Sequence, residues 1–196
     1  MNTLKDQLFL EFATDALSDL TEEFRGKFVS KKGDRFSIQG LTYEIGSPTL
    51  KEGEIYFEIS SKIPQDELRA DTTETKYFNA VKAIIRKAKK KPKSIDMENI
   101  IRETNDETRK ERDYVKVIYG YQEKELFTDK EVAARMEEFS KPSGKQEIPN
   151  IPGVATLAGR AVLLTLRDNL RQKARENLQL LIDANNQTRK GLKGRK

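Results

Sequence analysis

The hydrophobic period changes once in the first third of the chain, and that change fixes the fold class. In residues 4–25, Leu8, Phe9, Phe12, Ala13, Ala16, Leu17, Leu20 and Phe24 recur at three- and four-residue steps. That is the spacing of one helix face. Asn2 or Thr3 caps the start, Asp6 sits near the positive helix end, and Gly26 stops the helix. Over residues 27–63 the period becomes two. Phe36 and Ile38, then Leu41, Tyr43 and Ile45, then Ile55, Phe57 and Ile59 alternate with polar residues. Breaks fall at Lys32-Gly33-Asp34, Gly46-Ser47-Pro48 and Lys51-Glu52-Gly53. The expected fold is α+β: an N-terminal helix packed on an antiparallel β-meander, with additional helices and a long C-terminal helical arm.

The later elements follow from the same reading. Residues 64–75 are polar and predict a loop. Tyr77, Phe78, Val81, Ile84, Ile85 and Ala88 predict a helix over 74–89, ended by Pro92. Residues 95–104 predict a short helix capped by Ser94 or Asp96, and 105–113 a charge-mixed connector. A strand is expected over 114–121, with Val115, Val117 and Tyr119 on one face and Tyr114, Lys116 and Ile118 on the other. Thr128 and Glu131 are spaced as a capping box for a helix over 128–139.

Residues 140–153 hold three prolines and two glycines. They suggest a division into an α+β body (1–140), a linker (141–153) and a basic helical arm and tail (154–196). On this reading a chain ending near Ser140 keeps its secondary structure and loses only association.

Composition narrows the chemistry. Apolar residues are 36% and charged residues 35% of the 196 positions, which leaves a modest core. An extended molecule that completes its burial against neighbours is expected. With no Cys and no His, disulfides, Cys/His zinc sites, Cys nucleophiles and His bases are excluded. No cofactor is expected. Lys5, Asp6 and Gln7 interrupt the place of an apolar signal core, and Ala161–Leu164 is far shorter than the roughly 20 residues a spanning helix needs. The acids on the outer face of the first helix (Asp6, Glu11, Asp15, Asp19, Glu22, Glu23) argue against an anionic bilayer. The expectation is a protein made in the cytoplasm, without a membrane partner.

Positive charge gathers at one end. Ten Lys or Arg against three acids make residues 160–196 +7, which leaves −2 for the rest of a +5 chain. Arg160, Arg167, Arg171 and Arg175 lie near one stripe, opposite Leu163, Leu166, Leu170, Leu178 and Leu181. Such a stripe faces a polyanion or pairs with carboxylates between subunits, and the second is preferred. Arg189, Lys190, Lys193, Arg195 and Lys196 extend the candidate contact into the tail. Lys87, Lys89, Lys90, Lys91 and Lys93 form a weaker candidate polyanion patch, since cations at a helix C-terminus are ordinary. A phosphate role for this patch requires that it share a face with the C-terminal arginines. Asn177, in an apolar row, is read as a register-setting or, more commonly, an exposed residue.

Gly153 and Gly159 do not form a phosphate loop, because five residues separate them and Arg160-Ala161 follows. Glu54 and Glu58, with Lys62, share a strand face and are the weak candidates for Mg²⁺-dependent hydrolysis. Tyr43, Tyr56, Tyr114, Tyr119 and Tyr121 are candidate stacking platforms for single-stranded bases, though strands favour tyrosine for packing as well.

Three functions remain, in order. The first is a non-enzymatic structural subunit of a larger complex, a homo-oligomer or one partner among several. By class-level analogy it is a neck or tail-joining component of a phage virion. The second is a sequence-tolerant nucleic-acid-binding protein. The third is a metal-dependent phosphodiesterase.

Overall fold

The computed structural model describes residues 3–27, 35–64, 74–99, 111–141 and 150–193. Among them are helix α1 (Leu4–Lys27), strands β1 (Arg35–Ile38), β2 (Leu41–Ile45), β3 (Thr49–Lys51) and β4 (Glu54–Pro64), and helix α2 (Glu74–Ile85). Strands β5 (Ser94–Asn99) and β6 (Glu111–Gln122) follow, then α3 (Glu123–Leu126), α4 (Asp129–Ser140) and α5 (Leu157–Lys193).

The strands form one antiparallel sheet in the order β1-β2-β4-β6-β5, and β3 pairs with the first part of β4 beside β2. Two hairpins turn on two residues each. Gln39-Gly40 joins β1 to β2 and Glu52-Gly53 joins β3 to β4, all four at positive φ. Such turns match the twist of the flanking strands, and glycine at the second position removes the steric cost.

Register sets the two faces. Phe57 opposite Tyr119, Ile59 opposite Val117, Ser61 opposite Val115 and Tyr43 opposite Ser61 point to one side. Helices α1, α5 and α2 cover that side. Phe9, Ala13, Ala16, Leu17, Leu20 and Phe24 of α1 are buried there, as the spacing predicts. Phe24 packs on Phe36, and Phe36 stacks on Tyr43. The opposite side carries Glu54, Tyr56, Glu58, Ser60 and Lys62 of β4.

α5 has 37 residues, about 55 Å of helix at 1.5 Å per residue. It lies across the molecule rather than projecting from it. Leu163, Leu166, Leu170, Ala174, Leu178, Leu181 and Ala184 belong to the same hydrophobic cluster as α1, α2 and the sheet. The proposed linker falls largely on residues 142–149, outside the described ones.

Two local expectations are corrected. Residues 94–99 form strand β5, not a capped helix. Ser94 pairs with Ile118 and Ile95 with Val117 on the edge of β6. Ile95 and Met97 alternate with Asp96 and Glu98 in the sequence, and pairing with a long neighbouring strand decides for β structure over a capped helix. β6 begins at Glu111, inside the stretch read as a connector. The capping box of α4 forms as spaced. Thr128 Oγ1 accepts from the Glu131 amide at 3.3 Å, and the Glu131 carboxylate accepts from the Thr128 amide at 2.8 Å.

Candidate functional site

The arginine stripe of α5 finds its carboxylates within the chain. α1 and α5 run side by side in the same direction, so acids four apart on one meet arginines four apart on the other. Arg175 Nη2 donates to Glu23 Oε2 at 2.5 Å, and one turn earlier Arg171 Nη1 lies 4.0 Å from Asp19 Oδ2. Arg167 donates to Asp168 at 3.3 Å, and Asp168 also accepts from Arg135 of α4 at 2.6 Å. Arg160 donates to the Val154 carbonyl at 3.1 Å and to Asn150 Oδ1 at 3.4 Å, folding the approach segment onto the start of the helix. Arg189 Nη1 donates to the Gln39 carbonyl in the β1–β2 turn at 2.7 Å. Lys190 is exposed, Lys193 closes the helix, and Arg195 and Lys196 lie outside the described residues.

The polar residues of the apolar row are buried. Asn185 is fully buried; its amide donates to Tyr43 Oη at 3.1 Å and Ser61 Oγ at 3.2 Å, and its carbonyl oxygen accepts from Tyr77 Oη at 2.7 Å. One side chain thus ties α5 to β2, β4 and α2. Asn177, expected to be exposed, is buried at 7% and donates to Tyr121 Oη at 2.8 Å. Burial pushes the Tyr43 phenol up to about 12, against the lowering hydrogen bond from Asn185, and raises Tyr121 for the same first reason. Tyr43, Tyr119 and Tyr121 are therefore core residues, not stacking platforms. The side chain of Tyr114 is outside the described ones.

The lysine patch lies on the other flank of α5. α2 ends by tightening, with the Lys87 and Ala88 amides donating to Ile84 and Ile85 carbonyls at 3.1 Å. The chain then turns through Lys89, Lys90 and Lys91 into β5. Two lysines fasten this turn. Lys90 Nζ reaches Glu125 Oε1 at 2.7 Å and sits 4.7 Å above the Tyr121 ring. Lys93 Nζ reaches Glu54 Oε1 at 3.1 Å, and its amide donates to the Ile118 carbonyl at 2.7 Å. Burial pushes the Glu125 carboxyl up, but hydrogen bonds from Lys90 and the Gln122 amide outweigh it and hold the group below its ordinary value.

Lys173 of α5 approaches the same Tyr121 ring, at 5.6 Å. Lys173 is two positions from Arg171 and two from Arg175, which is about 200° around a helix. The lysine turn and the arginine stripe therefore occupy opposite flanks of α5, so the shared basic face that the sequence reading asked for does not form. With Arg171 and Arg175 facing acids of α1, any phosphate contact of the turn rests on the turn's own cations. Arg86, absent from the sequence candidates, is exposed at the end of α2 and belongs with the turn.

The carboxylate pair of β4 is also accounted for in part. Glu54 accepts from the Tyr56 hydroxyl and from Lys93, and these hydrogen bonds, that of Tyr56 first, hold its carboxyl below the usual range. The Tyr56 ring lies over Gly120 on the neighbouring strand, where a Cβ would come within 2.7 Å of it. Glu58 is half-buried two positions further along the same face, and Lys62 is buried. Among the described residues no group of three or more acidic side chains is placed to hold a metal ion. A cleft of about 110 Å³ between α1 and the β2–β3 connection is lined by Thr14, Leu17, Ser18, Thr21, Ile45, Gly46, Ser47 and Pro48, with no ionisable side chain. Among the described residues no helix is long and apolar enough to cross a membrane.

Comparison of the chain with family models, curated proteins and solved structures finds no match.

Proposed function

We propose that this protein is a non-enzymatic assembly subunit, a stiff scaffold that joins a larger complex through polar surfaces. The observation that carries this reading is the placement of α5. The side chains along it with the most chemistry to offer are engaged in holding it. Asn185 closes a buried network with Tyr43, Tyr77 and Ser61, Asn177 holds Tyr121, and Arg171 and Arg175 face acids of α1. Glu54, one of the two weak candidates for Mg²⁺-dependent hydrolysis, already accepts from Tyr56 and Lys93.

The described surface exposes one large hydrophobic side chain, Leu4. Association through that surface is therefore polar and weakens with salt. A joining position in a phage virion is the setting proposed, by analogy of character alone. Light scattering on the intact chain over a range of concentrations and salt tests the reading. The expected result is a mass above the 22.5 kDa monomer at low salt that falls as salt rises. A monomer at every concentration, together with Mg²⁺-dependent phosphodiester cleavage that Glu58→Ala abolishes, would replace it with the hydrolase reading.

A further inference from the structure

The two basic regions of the sequence exchange rank once their partners are visible. The α5 stripe is paired inside the fold. In the turn that leaves α2, Arg86, Lys87, Lys89 and Lys91 are exposed, and none of them makes an ion pair or side-chain hydrogen bond with a described residue. The turn itself is held at both ends. Lys90 is clamped on Glu125 and the Tyr121 ring, and Lys93 on Glu54, so these two acids are already paired with the turn's anchors. Lys173 adds a further cation beside Tyr121. A solvated helix terminus accounts for one or two cations near the negative helix end. It does not account for a fastened turn that presents four more.

We propose that this turn docks on the phosphate backbone of nucleic acid without reading its sequence, through Arg86, Lys87, Lys89 and Lys91. Three observations select this partner. The surface is dominated by lysine, which acts on phosphate as a point charge and is depleted in protein–protein interfaces. No exposed aromatic or large aliphatic side chain lies in the turn to serve as a protein anchor. Of the tyrosines that could stack unpaired bases, Tyr43, Tyr119 and Tyr121 are buried in the core, and half-buried Tyr56 has its hydroxyl on Glu54 and its ring against Gly120, which favours contact with a backbone over contact with bases. The inference is independent of the oligomeric state argued above.

The test is a titration of the full chain with a short duplex of arbitrary sequence at several salt concentrations. Three forms are compared: the parent, a turn variant (Arg86, Lys87, Lys89 and Lys91→Gln) and a tail variant (Lys190, Lys193, Arg195 and Lys196→Gln). Each phosphate contact contributes about 0.9 to the log–log salt slope, so removing four flattens it by roughly 3.6. Between 50 and 200 mM salt the parent then loses roughly 150-fold more affinity than the turn variant. A thermal melt of the turn variant matching the parent confirms that the exposed substitutions leave the fold intact. An unchanged slope in the turn variant overturns the proposal, and so does absence of parent binding at the lowest salt. A slope abolished by the tail variant alone moves the contact to the end of α5. Tighter binding of poly-L-glutamate than of the duplex would identify an acidic protein surface instead.

Discussion

Asn185 donates a hydrogen bond to the Tyr43 hydroxyl at 3.1 Å, across 142 positions of sequence, with neither side chain open to solvent. The same amide reaches Ser61, and its carbonyl takes the Tyr77 proton. Four elements therefore meet at one polar side chain in an apolar interior. A buried network of this kind stabilises only while every member is satisfied.

Asn185→Leu keeps a similar volume and leaves three hydroxyl groups without their shared partner. An orphaned buried polar group costs about 1–3 kcal/mol, so the variant should lose on the order of 3 kcal/mol in urea unfolding. Tyr77→Phe removes a single donor and should cost about 1–2 kcal/mol. Equal stability of Asn185→Leu and the parent would show that the network contributes nothing beyond packing.

A chain ending at Ser140 should not fold. Leu163, Leu166, Leu170, Leu178 and Leu181 are buried in the common core, and burial of each contributes about 1.5–3 kcal/mol. Their loss is on the order of 10 kcal/mol, comparable with the whole stability of a domain. This reverses the expectation of a separable arm. Far-ultraviolet and near-ultraviolet circular dichroism of the truncated chain check it: native spectra and a cooperative melt would contradict the packing described for α5.

Alkaline pH should unfold the protein through its phenols. Burial raises Tyr43 from 10.0 to about 12, and Tyr119 shifts in the same direction. The unfolded chain releases these protons first, so the phenols' contribution to stability is full below about pH 10 and falls as pH rises toward 12. Tyr43 alone accounts for about 2–3 kcal/mol over that interval, at about 1.4 kcal/mol per pKa unit. Tyrosinate absorbance should therefore appear together with loss of tertiary structure. Full ionisation of all six tyrosines in a still-folded protein would contradict the burial.

The fold was legible where a local pattern carried it. The heptad-like spacing of α1, the alternation in β1, β2, β4 and β6, and the Thr128–Glu131 pair of α4 each state their own structure. Residues 94–99 differ from the expected helix because Ser94 and Asp96 have the residue types of helix caps, and only pairing with β6 decides for a strand. Asn177 was misread because its partner, Tyr121, lies 56 positions away. The stripe of Arg167, Arg171 and Arg175 is visible in the sequence, and its partners less so. A signal for them existed: Asp19 and Glu23 repeat the four-residue step of Arg171 and Arg175 on a helix whose outer face is acidic. The turn at Arg86–Lys93 was ranked low because sequence cannot separate anchored lysines from presented ones.

The central claim is that the α5 arginines hold the fold together. The most direct measurement is a comparison of the Arg167, Arg171 and Arg175→Gln variant with the parent in thermal melting, light scattering and duplex titration. About a third of each Arg175 and Glu23 side chain is exposed, so each pair contributes only about 0.5–1 kcal/mol after solvent screening. The account predicts a melting temperature lowered by several degrees, with the assembly mass and the salt slope of duplex binding unchanged. An unchanged melting temperature, together with a smaller assembly or a flatter salt slope, would contradict it and return the stripe to the surface.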